Sequence, residues 1–226
     1  MKLVLTCEHA GNHIPDIYKR HFTGAGTLLS SHRGMDPGAL DLFRRLEHLA
    51  AFSACHMPSR LLVEVNRSVN HRQVFSEFTR NLTEPEKKQL LQAYYFPYRN
   101  NVEQGIRNLI QHGEKILHIS VHSFTPELDG KIRKADIGLL YDPARPEKQF
   151  CARFKDELLR QAPGLKIRYN YPYRGISDGF TTALRRIFPQ HYLGIELEVN
   201  QRFAENNRME EGIKKTIEAA VYRLLS

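Results

Sequence analysis

The chain has 226 residues, 41% of them hydrophobic and 26% charged, which is an ordinary globular balance. It is long enough for one α/β domain with a sizeable core, and no apolar stretch approaches the ~20 residues of a membrane span. The 33 Lys and Arg against 25 Asp and Glu leave a formal charge of +8. These basic residues never run more than two together, so they read as a solvated surface or a field for small anions, with no nucleic-acid motif among them.

The N-terminus has too few apolar residues before its first charges for a secretory h-region. Cys7, Cys55 and Cys151 are an odd number at no metal-like spacing, which favours a reduced, cytoplasmic setting. Residues 2–7 (KLVLTC) predict a buried strand running into the polar turn EHAGNHIP. A helix is expected from Asp36 as N-cap, with Pro37 at its first position and Leu40, Phe43, Leu46 and Leu49 spaced three apart. Residues 61–65 (LLVEV) read as a strand. From Thr83 to Gln111 the pattern is helical, opened by a Thr83/Glu86 capping box and kinked or split at Pro97.

Three further strands follow, at 115–121, 137–141 and 166–170, the last two separated by a helix around 146–161. A helix near 178–188 precedes a strand at 192–199. The chain closes in an amphipathic helix with Met209, Ile213, Ile217, Val221 and Leu224 on one side. No repeat or linker divides it, so one domain is expected, a parallel or mixed sheet covered by helices on both faces. In such folds the ligand site lies beyond the carboxyl ends of the strands.

Chemistry collects at those ends. The first strand runs into Glu8, His9, Asn12 and His13, the 61–65 segment into Asn66 and Arg67, and the 115–121 strand into His122 and Ser123. Neutral imidazole is a preferred zinc ligand, and two strands can present His9 and His122 to one ion. A third, oxygen ligand is available locally from Glu8, Asn12 or Asp36, while His13 and His32 compete for the histidine roles. Glu196 and Glu198 lie two apart on a strand and so share a face. They fit either a solvated edge strand or a general base beside a metal site. Arg67 can grip a carboxylate through a two-bonded fork or form a structural ion pair. Arg174 sits on a Gly-containing loop that can close over a ligand.

At these residues the sequence resembles the N-formylglutamate amidohydrolase family. The likeness runs in order through CEHAGNHIP at 7–15, Asp-Pro-Gly at 36–38, Val65-Asn66-Arg67, Phe96-Pro97-Tyr98, Val121-His122-Ser123, Arg174-Gly175 and Leu197-Glu198-Val199. The resemblance implies a three-layer domain, its mixed, mostly parallel sheet flanked by helices as in the zinc carboxypeptidases. It also implies a small anionic N-acyl amino acid as substrate and one zinc ion as cofactor. Carried over residue by residue, it makes His9 and His122 metal ligands with Asp36 the preferred third, Asn12 and Glu8 behind it, and Glu198 the general base, with Glu196 next. Asn66, Arg67, Ser123 and Arg174 become the substrate contacts. Two departures stand out. The position three after His9 is Asn12 where a His-x-x-Glu motif would put Glu. Ser120, two before His122, stands where many family members carry Asp. The other readings are a deacylase or carboxypeptidase for a different acylated substrate, and a basic binding protein without catalysis.

Overall fold

A computed structural model describes residues 1–226. Six strands form the main sheet: β1 (Lys2–Cys7), β2 (Phe52–Cys55), β3 (Ile116–Phe124), β4 (Ile137–Leu140), β5 (Ile167–Tyr169) and β6 (Tyr192–Asn200). Their order across the sheet is β2-β1-β3-β6-β4-β5. Only the β6–β4 pairing is antiparallel. Besides a single helical turn at Gly26–Leu29, the helices are α1 (Ala39–Leu46), α2 (Glu84–Leu90), α3 (Phe96–Gln111), α4 (Glu147–Gln161), α5 (Phe180–Ile187) and α6 (Glu211–Leu225). The sheet is thus mixed and mostly parallel with helices on both faces, as expected. None of the helices is long and apolar enough to cross a membrane.

Two-residue alternation along the central strands divides the interior. Leu3, Leu5, Leu117, Ile119, Ile195, Leu197 and Val199 point to one face and pack with α1, α4 and α6. Val4, Ile116 and Tyr192 on the other face join Val102, Ile106 and Leu184 from α3 and α5. On that second face the strands also carry a polar file. Thr6 is registered with Ser120 and Ser120 with Glu196, while His122 is registered with Glu198. Within the file, His118 bonds Thr6 at 2.7 Å and Tyr192 at 2.6 Å, and burial lowers its pKa to about 4. It is a neutral structural histidine.

Three sequence expectations change: the strand at 61–65, the start of the helix at Asp36, and the place of Met209, which lies on the short strand Arg208–Met209 before the closing helix. Residues 61–65 are not a strand; the second edge strand is 52–55, and 61–65 is a buried turn segment. A short apolar run cannot by itself distinguish pairing from simple burial. Here Leu62, Val63 and Val65 fill the second core, while the main chain bonds locally, Leu62 N to Ser59 O and Glu64 N to Val74 O. The helix expected at Asp36 begins at Ala39, after Gly38 in the left-handed region (φ 80°). Asp36 is not its cap because its carboxylate faces two histidines. The 83–111 stretch is split at Pro97 as expected: a π-helical turn at Leu91–Tyr95 interrupts it, with Pro97 in the first turn of α3. Proline has no N–H to give, so the ladder is re-registered just before it. The Thr83/Glu86 capping box is present.

Candidate metal and amide-cleavage site

β1, β3 and β6 end side by side, and their polar residues converge beneath the turn that precedes α1. His9 Nδ1 lies 3.2 Å from Asp36 Oδ2, and His122 Nδ1 lies 2.9 Å from the same oxygen. All three residues are buried, and their ligand atoms lie within 4.8 Å of one another. Glu8 and Asn12 do not join this group. His13 and His32 are exposed on the surface.

The far side of each imidazole is held by a carboxylate. His9 Nε2 is 2.6 Å from Glu64 Oε1. The charged carboxylate can only accept, so Nε2 carries a proton, and Nδ1, facing Asp36, is the nitrogen that a metal would take once its own proton is displaced. His122 Nε2 is 2.8 Å from Ser120 Oγ, and the Ser120 hydroxyl donates to Glu8, whose Oε2 is also 3.2 Å from that Nε2. Tyr98 OH donates to the other Glu8 oxygen at 3.0 Å. Glu8, considered above as a ligand, therefore stands behind His122. It supplies the carboxylate missing at Ser120, relayed through the serine hydroxyl.

The electrostatics call for a cation. Burial opposes charge on every one of these groups, yet His122 holds Glu8, Arg60 holds Glu64 and His9 holds Asp36 well below the usual carboxylate range. Burial likewise opposes charge on the two histidines, but Glu64 and Asp36 raise His9, while Asp36 and Glu8 raise His122. Buried carboxylates around two imidazoles thus draw positive charge into the centre, and without a metal protons supply it. The donor set, two nitrogens and one carboxylate, is one that can hold a divalent metal ion and leave room for a further ligand. Replacing Glu64 by Gln should weaken zinc binding by about 10- to 100-fold, the usual cost of losing such an outer partner. A competition titration against a chromogenic chelator measures it, and unchanged affinity would remove Glu64 from the site.

The cavity over this centre has a volume of about 180 Å³. Glu198 lines it beside its register partner His122. Its Oε2 is buried without a hydrogen-bond partner, and burial pushes its carboxyl up to about 7. Glu196 also lines the cavity but receives the Thr181 hydroxyl at 2.6 Å. β6 is a central strand, which disposes of the solvated-edge reading for this pair.

Asn66, Arg67, Ser123 and Arg174 all reach the same cavity. Asn66 Oδ1 accepts from Phe180 N at 2.8 Å, and Arg67 donates to the Asp178 carbonyl. Ser123 donates to the Pro37 carbonyl at 2.8 Å and accepts from Gln201 at 3.1 Å, which commits its hydroxyl to the protein. The Arg174 side chain is exposed and carries no ion pair. Its loop is set by Gly175, where a Cβ would collide with the Tyr141 main chain. Arg185, buried and bonded to the Gly175 carbonyl at 2.6 Å, secures the same turn.

Arg60 had no place in the sequence reading. It bonds Glu64 at 2.7 Å and Asp36 at 3.3 Å and forms part of the cavity wall. Its signal was the four-residue spacing to Glu64, hidden by the assignment of 61–65 to a strand.

Fold and site together define an α/β protein with a buried His-Asp-His donor group at its strand ends. The family model of N-formylglutamate amidohydrolase matches residues 1–204, and the chain belongs to that family. Among solved structures it is similar to gene product Atu2144 from Agrobacterium tumefaciens at 30% identity and a TM-score of 0.78, over 99% of this chain and 88% of that one. An N-formylglutamate amidohydrolase from Ralstonia eutropha JMP134 shares the fold at 16% identity and a TM-score of 0.72, over 100% of this chain and 92% of that one. No curated protein sequence matches.

Proposed function

We propose that the chain hydrolyses the amide of an N-acyl amino acid, with N-formyl-L-glutamate, giving formate and L-glutamate, as the first substrate. The observation that supports this most is the coincidence, in one cavity, of the donor group, a buried carboxyl without a partner and two guanidinium groups, Arg67 and Arg174, that carry no ion pair. His9, Asp36 and His122 would hold one divalent ion, zinc in this reading. When bound, zinc supplies Lewis-acid polarisation of the amide carbonyl and lowers the pKa of water.

The chain's own residues do the rest. Glu198 takes a proton from the attacking water on its carboxylate and passes it to the leaving nitrogen as the C–N bond breaks. The water oxygen stays on the acyl carbon, so acid and amine leave in balance. Arg67 and Arg174 hold the substrate's two carboxylates, with Asn66 and Ser123 shaping the wall beside them. Glu196, already bonded to Thr181, is the secondary choice for base. The three unpaired cysteines fit the cytoplasmic setting that we assign to the chain.

Formate release from a panel of N-formyl and N-acetyl amino acids tests the reading. Turnover of N-formyl-L-glutamate, lost on chelation and restored by zinc, is the expected result. A zinc-loaded chain that cleaves none of the panel would overturn it.

A further inference from the structure

Beside the candidate site lies a second, larger groove of about 370 Å³. Arg33, Arg60, Arg67, Arg72 and Arg80 line it against only two carboxylates, Glu64 and Glu77. Both carboxylates are engaged, Glu64 by Arg60 and His9 and Glu77 by Arg33. Arg67, Arg72 and Arg80 are left without any ion pair. Like charges facing one concavity repel one another unless an anion joins them.

The groove is continuous in its lining with the catalytic cavity, since Arg60 and Arg67 belong to both. Its wall is also ordered. Val74 N bonds His71 O at 3.0 Å and Ser76 N bonds Thr79 Oγ1 at 3.2 Å, while Phe78 stacks on Phe22 at 4.7 Å. Arg72 and Arg80 therefore stand on a hydrogen-bonded, packed turn segment.

The number of cations indicates what the groove takes. A single acidic amino acid carries two carboxylates, and Arg67 and Arg174 can each fork onto one. Arg72 and Arg80 lie outside the catalytic cavity and remain for an anion farther along. Resting on the amidohydrolase reading, we infer that the groove is a subsite for a carboxylate beyond the first residue, so that the chain takes N-acylated acidic peptides as well as single N-acylated amino acids.

Calorimetric titration separates this from the reading beneath it, because binding needs no turnover. L-glutamyl-L-glutamate should bind the full chain about tenfold more tightly than L-glutamyl-L-glutamine, the scale of one charge-assisted contact. In the double variant Arg72→Gln/Arg80→Gln that preference should disappear, while kcat/KM for N-formyl-L-glutamate stays within about twofold. Equal affinity of the wild type for the two dipeptides overturns the subsite, as does a preference that survives the double variant. If the preference is present and depends on both arginines but no acylated substrate is cleaved, the subsite stands and the hydrolase reading falls.

Discussion

Glu198→Gln should lower kcat for N-formyl-L-glutamate by about 10²-fold or more while one metal ion per chain remains bound. Glutamine keeps the shape and the burial but cannot accept a proton, so the loss isolates the base function. Position makes Glu198 the choice over Glu196. It is paired in register with His122, and its Oε2 has no partner in the protein, whereas Glu196 already holds the Thr181 hydroxyl. The pH dependence follows from the same burial. A carboxyl pushed up to about 7 is protonated below that pH and cannot act as a base. Wild-type kcat/KM should therefore climb up to tenfold per pH unit on its acid limb, and a cation at the neighbouring histidine moves the limb to lower pH. The residual rate of the Gln variant should lack this limb. A loss of only a few fold would pass the role to Glu196, and Glu196→Gln would then be the inactive variant.

How much of this was legible in the sequence depended on which physical signal each residue left. β1, β3 and β6 were readable because alternation and apolar runs are properties of the strand itself. Their carboxyl ends gave His9, His122 and Glu198 by the rule that ligands sit beyond parallel strands. The 61–65 segment misled because burial alone looks the same in a turn as in a strand, and that error hid Arg60. Asp36 had two competing local meanings, helix cap and ligand. The fold removes the first, since the helix starts after Gly38, and places Asp36 between two histidines from distant strands. Glu8 and Ser120 form a pair separated by 112 residues, and no spacing rule in a single sequence connects them. The arginine groove escaped for a related reason. Scattered single arginines read as surface charge until the turn segment gathers them on one wall.

His122→Ala should abolish stoichiometric zinc binding, and elemental analysis of purified wild type and variant is the direct measurement. The wild type should carry close to one ion per chain. The expected loss exceeds that of Glu64→Gln, because His122 would be a ligand and Glu64 only orients one. The electrostatics add a second signature. With no metal present, Asp36 and its neighbouring carboxylates raise His9 and His122 above their ordinary value. A divalent ion must displace those protons, so binding releases them and apparent affinity falls as pH drops below the raised values. Calorimetry in buffers of different ionisation enthalpy reads the release directly, and His122→Ala should lose that proton signal together with the ion. A wild type that holds no metal after zinc reconstitution would break the amide-cleavage reading. The buried carboxylates would then be balanced by Arg60 and the protonated histidines, and the arginine-lined cavities would be those of an anion-binding protein.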